Sequence, residues 1–204
     1  MKISGAVFDF GGVMTTTTMP ERVLPVVKEL GIPWEVIEKG FAKYRRQMDG
    51  DFISMEEMYD RIFADGGLTV SPEDRARIIA EDQASYLYRN EETLALMRDL
   101  KARGFRIGIL TNMCTGFARL FRIHFPDFID LADAMVISGE ERLFKPQLEI
   151  YRLVEQRIGL PADELCFFDD AETNCRGAEE AGWKAIRFTK TAAAREDFER
   201  LIAQ

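Results

Sequence analysis

The sequence contains few of the residues on which several common kinds of active site depend. Of its 204 residues, one is a histidine, His124, and three are cysteines, Cys114, Cys166 and Cys175. A serine or cysteine nucleophile that relies on a histidine base would therefore have only His124 to serve it. The cysteines are odd in number and lack the spacing of metal ligands, which predicts free thiols in a reducing cytosol.

Basic runs and long apolar segments are missing as well. The formal net charge is -8 and 30% of the residues are charged, a composition that argues against a nucleic-acid partner. The first residues run directly into an apolar strand pattern, so we expect neither a signal peptide nor a membrane-spanning segment. These absences predict a cytoplasmic protein with no nucleic-acid or membrane partner. The sequence leaves open whether it is a monomer or a homodimer.

The second half of the sequence alternates between short apolar runs and amphipathic stretches. Strands are predicted at 105–110, 133–137, 164–168 and 183–187, and helices at 115–124, 147–158, 172–181 and 193–203. Such alternation predicts a parallel sheet with helices on both of its faces. An apolar run near the N-terminus, at 5–8, must supply a further strand of that sheet.

Residues 16–90 have a different pattern, in which nearly every segment reads as helix. Helix starts are predicted from proline and from polar capping residues, at Pro20, Pro33, Ser54, Ser71 and Asn90. Four consecutive threonines, 15–18, predict an extended linker, because β-branched residues are stiff and threonine is a poor helix former. We therefore predict an α/β core of residues 1–15 and 91–204, interrupted by a helical domain of residues 16–90.

Polar residues recur where the predicted strands end. They are Asp9 after the first apolar run, Thr111 and Asn112 after the second, Lys145 before Pro146 in a loop, and Asp169 with Asp170 after a later strand. Open α/β sheets place their chemistry at the carboxyl ends of strands. A carboxylate at such a place is a candidate nucleophile or metal ligand.

In this order, the strings FDFGGV, ILTN, FKP and FFDDAETN resemble the haloacid dehalogenase-like hydrolase superfamily. The resemblance covers roughly residues 1–15 and 100–188. It implies a Rossmann-like parallel sheet of strand order 5-4-1-2-3, with Asp9 at its centre and an α-helical cap inserted after the first strand. The inserted region is similar to the caps of the epoxide-hydrolase-associated phosphatase domain and of α-glucose-1-phosphate phosphatases.

The resemblance also implies roles in phosphoryl transfer, which needs an in-line nucleophile and fixed positive or donor groups around the phosphoryl oxygens. Asp9 would be the nucleophile that forms an aspartyl-phosphate. Thr111 and Asn112 would hold phosphoryl oxygens at the start of a helix. Lys145 would bridge the nucleophile and the transferring group as a point charge.

A metal site is predicted from the adjacent carboxylates Asp169 and Asp170, which repel each other unless a cation or a proton intervenes. Mg²⁺ is the hard cation that suits a phosphate site. By resemblance, Asp170 would be a direct ligand and Asp169 would act through a water. Asp9 and the backbone carbonyl of Gly11 would complete the set, and Asn174 would orient the metal site or the lysine.

Gly11 is a departure from the phosphatases of this superfamily, which usually carry a second Asp two residues after the nucleophile. That Asp protonates the leaving oxygen and later deprotonates the attacking water. Without it, we expect slow turnover and a preference for activated aryl phosphates, unless the cap supplies the missing group. A glycine here would also be expected if the turn required a positive φ.

Three functions are therefore in competition. The leading one is a Mg²⁺-dependent phosphatase for a small phosphorylated metabolite. The alternatives are a metal-free 2-haloacid dehalogenase and a phosphate-binding module with little turnover. In the predicted cap, Arg45 and Arg46 could select an anionic substrate, but the sequence favours a solvated helix face for both.

Overall fold

A five-stranded parallel sheet forms the centre of the molecule. The computed structural model describes residues 2–16 and 19–203. Its strands are β1 (Gly5–Phe8), β2 (Arg106–Thr111), β3 (Ala134–Ile137), β4 (Leu165–Asp169) and β5 (Lys184–Arg187). They pair in the order β3-β2-β1-β4-β5, and every pairing is parallel. This is the predicted order read from the opposite edge, so the predicted fold class is confirmed.

Helices from residue 91 onwards cover both faces of this sheet. They are α5 (Glu91–Ala102), α6 (Thr115–His124), α7 (Pro126–Leu131), α8 (Ser138–Glu141), α9 (Leu148–Ile158), α10 (Glu172–Glu180) and α11 (Thr191–Ile202). Successive strand residues point to opposite faces, so Val7 packs in the cluster that includes α9 and Phe8 in the cluster that includes α5 and α11. The short helices α7 and α8 were not predicted, because six and four residues give too little periodicity to detect.

In the part of the chain that the structure describes, four helices lie between β1 and α5. They are α1 (Met19–Glu29), α2 (Trp34–Asp49), α3 (Met55–Asp65) and α4 (Pro72–Ser85). The three predicted polar caps are present, since the side chains of Ser54, Ser71 and Asn90 accept hydrogen bonds from the backbone N–H groups of Glu57, Asp74 and Thr93. Helix α1 packs against α4, and α2 packs against α3. Their apolar side chains continue the hydrophobic cluster that covers one face of the sheet.

The chain enters and leaves this helical region at one place. Thr15 and Arg89 form an isolated antiparallel bridge, and the backbone N–H of Asn90 donates to the carbonyl of Met14 at 2.8 Å. The predicted boundaries 15/16 and 90/91 are therefore neighbours in space, while the division into two domains stays a prediction. Thr17 and Thr18 of the predicted linker lie outside the described residues. Within residues 2–16 and 19–203, no helix is long and apolar enough to cross a membrane.

Candidate active site

The carboxyl ends of the three central strands bring the predicted residues to one edge of the sheet. Strand β1 lies between β2 and β4, and the backbone N–H of Asp9 extends the β1–β4 ladder by donating to the carbonyl of Phe168 at 2.9 Å. Asp9 and Asp169 are therefore held side by side by the backbone. Thr111 is the last residue of β2 and is also buried.

Lys145 joins two of these strand ends through its side-chain amine. Its Nζ lies 2.8 Å from Asp9 Oδ1 and 2.6 Å from Asp169 Oδ2, and the residue is only 2% exposed. Burial by itself lowers the pKa of a lysine, but the attraction of Asp169 and Asp9 outweighs it, so the pKa of Lys145 is raised. The amine is thus a fixed positive charge beside the candidate nucleophile.

Asn112 positions this lysine through its side-chain amide. Its Oδ1 accepts from the backbone N–H of Lys145 at 2.8 Å, and its Nδ2 donates to the Lys145 carbonyl at 3.1 Å. The second hydrogen of Nδ2 and the backbone N–H of Asn112 are the donors that are left for a phosphate contact. The predicted role of Asn112 in binding phosphate stays a prediction.

Asp169 is surrounded by hydrogen-bond donors. In addition to Lys145, the backbone N–H of Ala171 donates to Oδ1 at 2.8 Å, and Asn174 Nδ2 lies 3.1 Å from each carboxylate oxygen. The sequence assigned Asn174 to orienting the metal site or the lysine, and the structure places it against Asp169. These hydrogen bonds fix the orientation of the Asp169 carboxylate, which therefore cannot easily rotate to bind a metal ion directly.

Three carboxylates lie close enough together to share a cation. One oxygen each from Asp9, Asp169 and Asp170 falls within a group whose members are all within 4.8 Å of one another. Burial raises the pKa of Asp9 to about 7, Lys145 opposes this rise, and Asp169 adds to it. Burial and Asp169 also raise the pKa of Asp170. Crowded, partly desolvated oxygen donors of this kind fit a hard divalent cation such as Mg²⁺.

The turn after Asp9 depends on glycine at one of its two positions. Gly12 has a φ of 71°, and a Cβ there would lie 2.6 Å from Asp170 Oδ2. Gly11 has no left-handed φ, and a Cβ there would meet only the Tyr86 ring, at 3.8 Å. The expected positive φ therefore belongs to Gly12, and Gly11 could accommodate a side chain.

A cavity of about 340 Å³ lies over these strand ends. The predicted residues that line it are Asp9, Gly11, Thr111, Asn112, Lys145, Asp170 and Asn174. Asp169 does not line it and lies buried behind Lys145. The remaining lining residues are Phe10, Met113, Cys114 and Phe117 from the core, and Phe41, Arg45, Met48, Asp49, Met55 and Tyr86 from the helical region.

Arg45 corrects one interpretation of the sequence. It lines the cavity instead of a solvated helix face, with Nε 2.9 Å from Asp49 Oδ1 and a hydrogen bond of 3.2 Å to the Tyr86 hydroxyl. Arg46 is exposed and lies over the Phe144 ring. Phe41, Arg45 and Asp49 are four residues apart, which places them on one helix face. That spacing is the signal that could have identified Arg45 and Asp49.

Comparison with known proteins decides the family. A family model described as haloacid dehalogenase-like hydrolase matches residues 3–182. The chain belongs to this family. As a haloacid dehalogenase-like hydrolase it is an enzyme, and its parallel sheet with Asp9 at the end of the central strand agrees with the resemblance found in the sequence.

Two relatives of this hydrolase are phosphatases by name. Sesquiterpene phosphatase astK of Aspergillus oryzae is 26% identical, over 97% of the chain and 95% of the relative. Phosphatase MT3486 of Mycobacterium tuberculosis is 22% identical, over 96% and 92%. Among solved structures, an enzyme of the same family from Bacteroides thetaiotaomicron, in complex with magnesium and inorganic phosphate, aligns with a TM-score of 0.73 and 25% identity, over 92% of the chain and 94% of its own.

Proposed function

We propose that this hydrolase is a Mg²⁺-dependent phosphatase that cleaves phosphate monoesters through an aspartyl-phosphate on Asp9. The observation that carries the proposal is the amine of Lys145, which bridges Asp9 and Asp169 next to the third carboxylate, Asp170. The two phosphatase relatives and the magnesium and phosphate complex of the Bacteroides enzyme support the same chemistry.

Each residue at the strand ends has a part in this reaction. Asp9, Asp170 and the backbone carbonyl of Gly11 would hold Mg²⁺, with Asp169 behind them, and the ion would neutralise charge on the phosphoryl group. Lys145 Nζ holds Asp9 Oδ1, which leaves the other carboxylate oxygen to attack phosphorus. The hydroxyl of Thr111 and the N–H groups of the following loop would donate to phosphoryl oxygens.

The sides of the cavity favour a substrate with an apolar organic group. Six side chains of Phe and Met from both parts of the chain line it, namely Phe10, Phe41, Met48, Met55, Met113 and Phe117. The positive charge of Arg45 is already paired with Asp49, so no free cation on the helical side would attract a second anionic group. A phosphorylated metabolite with an apolar body fits these properties, and one relative is a sesquiterpene phosphatase.

The proposal is tested by measuring phosphate release from p-nitrophenyl phosphate and from simple alkyl phosphates. Each substrate is assayed once with Mg²⁺ and once with EDTA. We expect release that needs Mg²⁺ and is lost in the Asp9→Asn variant. Asp163→Asn, an exposed aspartate outside the cavity, serves as the matched control. Halide release from chloroacetate in EDTA would instead establish a dehalogenase, and phosphate binding without product release would establish a binding module.

A further inference from the structure

One carboxyl group that lines the cavity has no role in the proposed reaction as described above. Three carboxylates line it, Asp9, Asp49 and Asp170. Asp9 and Asp170 belong to the nucleophile and the candidate metal site. Gly11 stands where related phosphatases carry an acid and base, so the reaction lacks a proton donor from the usual position. Asp49 is the carboxyl group that remains.

Asp49 is anchored to the loop that begins at Thr111. It ends helix α2, and its carbonyl accepts a hydrogen bond of 2.6 Å from the Ser138 hydroxyl. The same hydroxyl accepts one of 2.7 Å from the backbone N–H of Met113. Two residues on, the carboxylate of Asp51 accepts from the backbone N–H and the hydroxyl of Thr115. These bonds fix Asp49 relative to the phosphoryl end of the cavity.

The surroundings of Asp49 suit a group that gives and regains a proton. Its Oδ1 faces Arg45 Nε, whereas Oδ2 has no hydrogen-bond partner among the described residues. Burial raises the pKa of Asp49, against the opposing charges of Arg45 and Lys145. A raised pKa favours the protonated acid, and the neighbouring guanidinium stabilises the carboxylate that is left after proton transfer.

We propose that Asp49 is the general acid and base of this hydrolysis and takes the place of the side chain that Gly11 lacks. The inference rests on the proposed phosphatase function. In the first step an oxygen of Asp9 attacks phosphorus, the bond to the ester oxygen breaks, and Asp49 gives its proton to that oxygen, so that the alcohol leaves. In the second step Asp49 takes a proton from water as the water attacks phosphorus, inorganic phosphate leaves, and the Asp9 carboxylate is restored.

The dependence on the leaving group tests this assignment. Alkyl phosphates need a proton on the departing oxygen, whereas p-nitrophenyl phosphate does not. Asp49→Asn should therefore lower kcat on an alkyl phosphate by about 10²–10⁴-fold, and the step of alcohol release from p-nitrophenyl phosphate by less than about tenfold. A single-turnover measurement, with the enzyme in excess over p-nitrophenyl phosphate, reports the step of alcohol release alone. If the role of Asp49 were merely structural, the substitution would lower the rates on both substrates by the same factor.

Rescue from the other position gives a second readout. Because Gly11 has room for a side chain, Gly11→Asp in the Asp49→Asn background should restore at least about tenfold of the lost rate on alkyl phosphates. The same change made alone, with Asp49 intact, should gain at least about tenfold less on alkyl phosphates than it gains in the Asp49→Asn background. If Asp49→Asn does not fold, the Gly11→Asp variant tests the proposal by itself. A roughly hundredfold gain in its rate on alkyl phosphates would mean that the wild type has no general acid and base, and would refute the role of Asp49.

Asp82→Asn is the matched control. Asp82 is a buried carboxylate of α4 that accepts from the Tyr59 hydroxyl at 3.0 Å and feels the charge of Arg45, but it does not line the cavity. Its alkyl-to-aryl rate ratio should equal that of the wild type. Absence of Mg²⁺-dependent phosphate release from the wild type would refute the proposed function. An active wild type with an unchanged ratio in Asp49→Asn would refute only the role of Asp49.

Discussion

The two sides of the cavity are built in different ways. The floor, formed by Asp9, Thr111, Lys145 and Asp170 with the buried Asp169 behind Lys145, lies on strand ends and their following loops. Direct ion pairs of 2.8 and 2.6 Å tie its lysine to Asp9 and Asp169. The helical wall, formed by Phe41, Arg45, Met48, Asp49, Met55 and Tyr86, is mostly apolar and has a single ion pair, between Arg45 and Asp49. The floor can carry phosphoryl chemistry, and the wall can carry proton transfer and the choice of substrate.

This contrast sets how severely each side should respond to mutation. On the floor, removing one charge leaves another buried without its partner, which costs about 3–5 kcal/mol in comparable buried pairs. On the wall, removing an apolar side chain costs mainly contact area, about 0.8 kcal/mol for each CH₂ group. Variants that separate activity, metal binding and stability can therefore tell the two sides apart.

The largest effect is expected from Asp9→Asn. Asparagine keeps the shape of the side chain but cannot act as the nucleophile, so kcat should fall at least about 10⁴-fold. Lys145 keeps its bond to Asp169, and the fold should survive, which circular dichroism would show. Phosphatase activity retained in a clean preparation would contradict the covalent mechanism.

The two adjacent carboxylates should differ in what their loss affects. Asp170→Ala should abolish measurable Mg²⁺ binding in calorimetry with little change in stability, because Asp170 is exposed and belongs to the carboxylate cluster. Asp169→Ala should instead lower the free energy of unfolding by about 3 kcal/mol, because the buried Lys145 loses one of its two carboxylate partners and the Asn174 amide loses its acceptor. Denaturant titration of both variants is the measurement.

Equal and undiminished Mg²⁺ binding in the Asp169 and Asp170 variants would contradict the assignment of Asp170 as a direct ligand. Binding lost equally in both would mean that the two carboxylates act as one site. Asp163→Ala again provides the control, because its side chain lies outside the cavity.

The floor could be predicted from the sequence, whereas for the wall the sequence shows only that Phe41, Arg45 and Asp49 share one helix face and not that this face meets the cavity. Asp9, Thr111 and Asp169 each follow an apolar strand run, so local patterns together with parallel strand pairing place them at one edge. The side from which Arg45 meets the cavity depends on how α2 packs on α3 and on the loops at Ser138 and Thr115. No short string encodes those long-range contacts.

The predicted role of Gly11 shows the same limit at a single residue. The string FDFGGV contains two glycines, and letters alone do not say which of them the backbone requires. The structure assigns the left-handed φ to Gly12, which also leaves space for Asp170. The backbone conformation therefore does not require a glycine at position 11, and Gly11 is a chemical difference from the related phosphatases.

A smaller effect is expected from Arg45 on the wall. Arg45→Met removes the charge that faces Asp49 but keeps the length and the packing of the side chain. We expect kcat/KM on alkyl phosphates to fall about tenfold, within the range of a single charge-assisted hydrogen bond. Arg46→Met, at the adjacent but exposed residue, should leave kcat/KM within about twofold of the wild type. Similar losses of kcat/KM in the two variants would mean that Arg45 has no specific role in the reaction.

The smallest effect on kcat/KM is expected from the apolar side chains of the wall. If the organic group of the substrate packs on them, each added CH₂ in a series of linear alkyl phosphates should gain at most about 0.8 kcal/mol, or roughly fourfold in kcat/KM. Met48→Ala should flatten this series, because it removes contact area without touching the strand ends. Leu148→Ala, an apolar side chain that is 47% exposed on α9 and outside the cavity, should leave the slope unchanged. A series that is flat in the wild type would mean that the organic group does not reach the wall, and selectivity would then have to come from the floor.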